Sequence, residues 1–310
     1  MKILHSLAEY DHNLSTTVTI GAFDGVHIGH QLVLDQLKQT AKTFQTNSLV
    51  ITFVPHPRIF FSSDTDLRLL NSLQEKIELL AKQGIDYLVL QSFDAQFASQ
   101  SPDIFVKNMT NYLHMKHLLM GYDHHFGKQQ SGDFSAIKSL EKKYNFEVHQ
   151  IDVLAVENVN ISSSIIRNLL NEGKIKLANE YLSYPYMIEG SVVAGNHLGR
   201  TINFPTANVA VDDPYKLVPK KGVYIVKAQV VGQEIYGMMN IGKRPTVDGK
   251  NQTIEVYLLD FKQDIYGESI QISFLERLRD EQKFSSLEAL KQQLLRDKEV
   301  LKNYVSNIKF

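Results

Sequence analysis

His27 and His30 stand one helical turn apart in the run GAFDGVHIGH, Gly21 to His30. Two imidazoles at that spacing at a helix start share one side. There they can donate hydrogen bonds to phosphate oxygens and to charge that develops during phosphoryl chemistry. Gly21 and Gly25 let the backbone turn tightly and approach a ligand, and the free N–H groups of a first helical turn attract an anion. The combination points to a phosphate site at a strand-to-helix turn.

Three further segments carry polar chemistry. Pro55, His56, Pro57 and Arg58 follow an apolar run, as do Asp123, His124, His125, Phe126 and Gly127. Taken singly, each reads equally well as a rigid turn or a solvated loop. In ISSSIIR, Ile161 to Arg167, any of Ser162, Ser163 and Ser164 can cap a helix that ends at Gly173. Three hydroxyls with Arg167 one turn on make a second anion site, suited to a triphosphate or a leaving pyrophosphate. Farther along, GRTINFPTAN presents Thr206 and Asn208 as oxygen ligands at alternate positions, a hard-donor arrangement suited to Mg²⁺ that keeps most of its waters. Glu255, inside the apolar stretch Thr253 to Leu259, is a candidate for proton transfer, or else a solvent-facing strand residue.

The elements that must position these groups change character along the chain. Strands are expected at Thr16 to Ile20, Ser48 to Val54, Tyr87 to Phe93, His117 to Tyr122 and Glu147 to Val156, with helices between them. The first helix covers Gln31 to Phe44, with Val33, Leu37, Ala41 and Phe44 on one face. Gly84 closes a helix that begins near Leu73, and Ser101 with Pro102 opens the next. Such alternation implies a mostly parallel α/β sheet of Rossmann-like type, with ligands at the carboxyl ends of its strands. From Leu182 to Tyr186 the pattern shifts to short strands and turns, and Pro185 marks a boundary, giving domains 1–184 and 185–310. Met187 to Ala194, Val223 to Val231, Glu234 to Ile241, Thr253 to Phe261 and Ile270 to Leu275 read as antiparallel strands closing into a barrel, with Gly232 and Gln233 in a hairpin turn. A terminal helix over Ser285 to Tyr304 buries Leu287, Leu290, Leu294, Leu301 and Tyr304.

Composition narrows the class. The chain has 310 residues, enough for two cores, and carries 33 basic against 34 acidic side chains. No electrostatic footprint for nucleic acid or an anionic membrane appears. Cysteine is absent, which removes disulfides, thiolate metal sites and cysteine nucleophiles. The first residues lack the apolar core of a signal peptide, and no apolar run reaches the ~18 residues of a membrane span. The expectation is a cytoplasmic enzyme of small-molecule substrates.

The HIGH tetrapeptide resembles the HxGH signature of nucleotidyltransferases, and GAFDGVHIGHQ is similar to the prokaryotic FAD synthetase family. TFVPHPR, GYDHHFG and ISSSIIR follow in that family's order. The resemblance implies that His27 and His30 are catalytic and that Gly21, Phe23, Asp24, Gly29, Ser162, Ser163, Ser164 and Arg167 bind ATP. It also implies that His56, Pro57, Arg58, Asp123 and Gly127 hold FMN. VVAGNHLGRTINFPTANV, GVYIV, MMNIGKRPTV, IEVYLLDF and DIYGESIQISFLERLRDEQKF resemble the riboflavin kinase domain of bifunctional bacterial enzymes. There the resemblance implies ATP binding by Gly199, Arg200, Thr206 and Asn208, Mg²⁺ on Thr206 and Asn208, and Glu255 as the base for the riboflavin 5′-hydroxyl. Departures from the family pattern are Gln129 and Gln130 after GYDHHFG, Asn203 for the usual glycine before FPTAN, Ser183–Tyr184 for a Gly-Arg pair, and Val247 for a frequent Phe.

The function expected is therefore ATP-dependent phosphorylation of riboflavin to FMN, then adenylylation of FMN to FAD with release of pyrophosphate. Phe126 and Tyr224 are candidate flavin contacts and equally candidate core residues. Two other readings fit parts of the sequence: an FAD synthetase whose barrel is a non-catalytic flavin-binding module, and another HxGH nucleotidyltransferase acting on a different small molecule.

Overall fold

The computed structural model describes residues 1–61, 67–121, 134–151, 155–156, 159–195, 199, 202–243 and 252–308. By contacts between backbones the chain divides into two units, Met1–Ser163 and Ser164–Phe310.

The first unit is a six-stranded sheet. Its strands are β1 (Lys2–Leu4), β2 (Thr16–Ile20), β3 (Asn47–Val54), β4 (Tyr87–Ser92), β5 (Met115–Gly121) and β6 (Glu147–Ile151), in the order β1-β4-β3-β2-β5-β6. Every neighbouring pair is parallel. β2 lies at the centre because TTVTI is β-branched throughout and buried at every position. Its threonine hydroxyls are satisfied inside the sheet: Thr16 donates to Leu113 O at 2.9 Å and Thr19 to Leu119 O at 3.1 Å.

Chain order runs one way from β2 through β3 and β4, and the other way through β5 and β6. The switch point between β2 and β5 is where ligands of such sheets bind.

Helix α1 (Ile28–Phe44) packs on β2, β3 and β5. The short α2 (Pro57–Phe61) follows β3, and α3 (Leu73–Lys82) opens with a capping box in which Ser72 Oγ accepts from Glu75 N and Glu75 Oε2 accepts from Ser72 N. α4 (Ala95–Ala98) precedes α5 (Pro102–Leu113), which has Ser101 as N-cap and Pro102 as first residue, as expected. Phe105, Val106, Met109 and Leu113 of α5 form one core with Val18, Ile20, Leu49, Ile51, Leu118 and Met120. Burial of each such side chain contributes about 1.5–3 kcal/mol. α6 (Phe134–Lys138) and α7 (Glu141–Tyr144) precede β6.

Several details depart from expectation. α1 starts at Ile28, and its buried stripe is Leu34, Leu37, Thr40 and Ala41, while Phe44 is half exposed. Packing on β2, β3 and β5, rather than the hydrophobic pattern, selects the buried face. β6 stops at Ile151, and β7 (Ala155–Val156) with β8 (Val159–Asn160) forms a separate antiparallel pair. β1, three residues long, was too short to show a pattern.

The second unit takes α8 (Ser163–Glu172) from Ser164 onward, then α9 (Ile175–Leu182). A closed antiparallel barrel follows: β9 (Met187–Val193), β10 (Ala207–Ala210), β11 (Gly222–Val230), β12 (Gln233–Lys243), β13 (Gln252–Leu258) and β14 (Ser269–Arg279), in cyclic order β10-β13-β12-β11-β14-β9. The terminal helix is α10 (Leu287–Ile308).

The two-residue turn between β11 and β12 is Val231–Gly232, one residue earlier than expected, because Val230 pairs with Gln233. β14 runs past Leu275 to Arg279 because Tyr224 pairs with Arg277 and Val223 with Arg279. On α10, Leu301 is buried and Leu290, Leu294 and Tyr304 pack beside it, but Leu287, the first residue of the helix, is exposed, and Asp297 is buried. Asp297 is held there by a charged partner, Arg279 Nη2 at 2.7 Å, with Gln293 Nε2 at 2.8 Å.

α8 and α9 fall with the barrel by contact, ahead of the change of pattern at Pro185. Lys220 N donates to Leu170 O at 3.0 Å, Asn179 Nδ2 to Phe274 O at 2.9 Å and Tyr186 N to Asn179 Oδ1 at 2.8 Å.

Candidate active sites

The turn after β2 is held by its own polar groups. Asp24 is buried, and its Oδ1 accepts from Leu70 N at 2.9 Å and Asn71 N at 3.3 Å; Asn71 Oδ1 in turn accepts from Gly25 N at 2.8 Å. Phe23 and Val26 are held at φ 48° and 35°. For a β-branched valine that conformation persists only where its surroundings over-determine it. Buried Lys76 lies near Asp24, and burial pushes its ammonium below the usual lysine range against the carboxylate's pull. Asn71 and Lys76 were not anticipated. Neither stands in a motif, and only the packing of α3 on the turn brings them there.

His27 is the N-cap of α1 and 5 % exposed. Its ring stacks on His30 with centroids 3.7 Å apart and planes 21° apart, and Phe23 meets His30 edge-on at 5.2 Å. A Cβ at Gly29 would lie 3.2 Å from both Cε1 and Nδ1 of His27, so a glycine there lets the imidazole lie against the helix start. Ile161 O is 3.9 Å from that same point, and Ser163 Oγ donates to Asp24 O at 2.8 Å, which brings the serine segment to the HIGH turn. Thr52 Oγ1 donates to Ala22 O at 3.2 Å and ties the end of β3 to it as well. Beyond β3, buried His56 accepts from Arg58 N through Nδ1 at 3.1 Å, Pro57 starts α2, and Arg58 is exposed.

The structure thus gathers Gly21, Phe23, Asp24, His27, Gly29, His30, Ser162 and Ser163 around one turn, with His56 and the start of α2 following the neighbouring strand. Ser164 and Arg167 lie on the first turns of α8 in the second unit, where Arg167 Nη1 donates to Ser164 Oγ at 3.3 Å. Asp123, Gly127, Phe126 and the other residues of the GYDHHFG loop, with Gln129 and Gln130, lie outside the described residues, as do Arg200 and Val247.

In the barrel, register assembles the second set. Glu255 on β13 pairs with Asn208 of β10 on one side and Asn240 of β12 on the other. Residues opposite one another in antiparallel strands share a face. Thr206 Oγ1 stands 3.5 Å from Glu255 Oε2. Hydroxyl, amide and carboxylate oxygens so grouped, half-buried and open to solvent, fit a Mg²⁺ ion that keeps waters and takes phosphate oxygens as further ligands. Asn240 went unnoticed in the sequence because a register neighbour leaves no spacing signal.

Gly199 belongs to this site too: a Cβ there would lie 2.2 Å from Phe204 O, and Phe204 N donates to Gly199 O at 2.8 Å. The resulting loop sets Thr206. Asn203 within it has φ 62° and Ser183, at the end of α9, also has φ 62°. Both stand where the resemblance expects glycine, and each holds a left-handed backbone that glycine adopts without strain.

Two cavities share Thr206. One, of about 300 Å³, is lined by Glu255, Tyr257, Met238, Phe284, Leu290 and Leu294 beneath α10. The other, of about 440 Å³, is lined by Asn203, Pro205, Val256, Lys262 and Tyr266. α10 is pinned over the first by the Arg279–Asp297 pair and by Lys298 Nζ donating to Tyr257 Oη at 2.8 Å, a bond that raises the Lys298 pKa. Tyr224 is fully buried against Phe274, which makes it a core residue.

Residues 10–165 match the family model described as FAD synthetase, and residues 182–305 that described as riboflavin kinase. The chain is 39 % identical over 292 residues to the bifunctional riboflavin kinase/FMN adenylyltransferase of Haemophilus influenzae, covering 94 % of each. To the Listeria monocytogenes protein of the same name it is 39 % identical, covering 93 % of this chain and 91 % of that one. A crystal structure from Streptococcus pneumoniae described as a macrolide-efflux protein superposes with a TM-score of 0.89 at 32 % identity, covering 97 % of this chain and 98 % of that one. Among the described residues here, no helix is long and apolar enough to cross a membrane.

Proposed function

The chain belongs to the bifunctional riboflavin kinase/FMN adenylyltransferase family, and from that membership and the two donor sets we infer that it converts riboflavin to FMN and FMN to FAD, with ATP as co-substrate in both steps. The observation that carries this reading is one set of phosphate-handling groups on each of two separately cored units: the stacked His27 and His30 at the sheet's switch point, and Glu255 facing Thr206 on the barrel.

In the adenylyl step a phosphate oxygen of FMN attacks the α-phosphorus of ATP and pyrophosphate leaves. His27 and His30 donate to oxygens on which charge develops, and a fixed pair of donors stabilises that charge without reorganising. The turn's N–H groups and Ser162–Ser164 with Arg167 are assigned to the remaining phosphates, and His56, Pro57 and Arg58, with Asp123 and Gly127, to FMN.

In the kinase step Glu255 takes the proton of the riboflavin 5′-hydroxyl as its oxygen attacks the γ-phosphorus, and ADP leaves. The apolar cavity under α10 suits an isoalloxazine, the Lys262 cavity suits a nucleotide, and Thr206 at their junction suits the transferred phosphoryl group. Mg²⁺ bound through Thr206 and Asn208 would neutralise charge on the ATP phosphates. Gly199, which lines the cavity under α10 beside Thr206, and Arg200 are assigned to the ATP phosphates. Neither step requires a covalent enzyme intermediate. We place the functional boundary at 184/185, where the repeating α/β pattern ends.

Chromatographic analysis of the products from riboflavin, ATP and Mg²⁺ tests the inference. FMN appearing first and FAD after it is the expected course. FAD formed from added FMN, with riboflavin left unphosphorylated, would instead mark the barrel as a flavin-binding module.

A further inference from the structure

The first unit carries a donor set that neither reaction uses. β5 and β6 pair with His117 opposite Glu147 and Leu119 opposite His149. Alternate residues of a strand share a face, so Glu147 and His149 project together beside His117. His117 Nδ1 lies 3.2 Å from His149 Nε2 and 3.7 Å from Glu147 Oε2, and that oxygen is 3.9 Å from His149 Nε2. One atom from each residue therefore closes a single triangle. Among the described residues no other group of three or more His, Asp or Glu is so placed.

A hydrogen bond between the rings explains the 3.2 Å edge, but it leaves the carboxylate oxygen beyond hydrogen-bond distance of both. A shared cation accounts for all three edges. Tetrahedral zinc with bonds of about 2.0–2.1 Å sets ligand-to-ligand distances of about 3.3–3.4 Å, and the edges found, 3.2, 3.7 and 3.9 Å, lie within about half an ångström of these. We propose that His117, Glu147 and His149 form a transition-metal site, with Zn²⁺ the favoured ion.

Two imidazoles and one carboxylate suit zinc and its borderline neighbours, whereas Mg²⁺ and Ca²⁺ require oxygen ligands throughout. His117 is buried beneath Phe44, whose ring stacks on it at 3.9 Å, so its orientation is set before any ion arrives. The Glu147 and His149 side chains are 66 % and 37 % exposed, which leaves the fourth position to water. All three ligands sit on hydrogen-bonded strands, the precise kind of support for a metal site. Glu147 is the first residue of β6 and His117 the third of β5, so the site lies toward the amino ends of these strands. The candidate adenylyl site follows their carboxyl ends. A bound ion would clamp edge strand β6 to β5.

Calorimetric titration of the chelator-treated, untagged full chain with zinc chloride, without nucleotide, is the test. One Zn²⁺ per chain with a Kd of about 1 µM or tighter is expected, with a rise in melting temperature. His149→Ala and Glu147→Gln, the one at a partly exposed position and the other at an exposed one, should each weaken binding at least about 100-fold, more than loss of an outer partner does. His30→Ala should leave it unchanged, which separates this site from the other histidine pair, and X-ray absorption should report two imidazoles on the metal. Zinc bound equally well by the His149→Ala and Glu147→Gln variants, or lost in His30→Ala, or no binding tighter than about 1 mM, overturns the proposal.

Discussion

The two candidate sites are built in opposite ways. Around His27 and His30 the central groups, Gly21 to His30, come from one continuous turn, locked by its own backbone and by Asp24 and Asn71. Around Glu255 the groups come from three strands and a loop, and only the register Asn208↔Glu255↔Asn240 makes them neighbours. A local site is set by turn geometry and can be read as a motif. A register site depends on barrel closure, so its members lie scattered along the chain.

The sharpest break between the two is Glu255→Gln, which keeps shape and hydrogen bonding but cannot take the proton. Riboflavin phosphorylation should fall by about 100- to 10,000-fold while FMN adenylylation persists, measured as separate initial rates. His30→Ala should do the reverse, with FAD formation down about 100-fold or more and the kinase step untouched. Equal loss of both activities in either variant would contradict the separation of sites.

A smaller effect concerns the boundary. A barrel fragment beginning at Ser164 retains the Leu170–Lys220, Asn179–Phe274 and Asn179–Tyr186 bonds, which one beginning at Pro185 loses. At about 0.5–1.5 kcal/mol per bond, the longer fragment should unfold at clearly higher urea concentration. Matching midpoints would show that α8 and α9 lend the barrel nothing. The smallest effect is Ser183→Gly: relieving φ 62° at a helix end should stabilise the chain by about 1 kcal/mol, read as a rise in melting temperature with both activities unchanged.

The three regions differ in how much of each was legible. The HIGH turn was legible because glycines, histidines and a following amphipathic run act within one helical turn of each other. β10 was not, since ANVA is four residues without alternation and becomes a strand only by pairing with β9 and β13. Asp297 is buried against the hydrophobic pattern of α10 because Arg279, on a distant strand, offers a charged partner that compensates the burial of a carboxylate.

The amino-acid sequence by itself determined the parallel sheet followed by a barrel, the glycine and histidine turn after β2, the serine helix start and the placing of Glu255 on a strand, because periodicity, caps and turn residues are properties of neighbours in the chain. Tertiary structure alone decided that Asp24 spends its carboxylate on the backbone of Leu70 and Asn71, that Asn240 flanks Glu255, that α8 and α9 pack with the barrel, and that His117, Glu147 and His149 meet. Those contacts join residues far apart in sequence, and strand register with the packing of helices, to which no local pattern refers, brings them within reach.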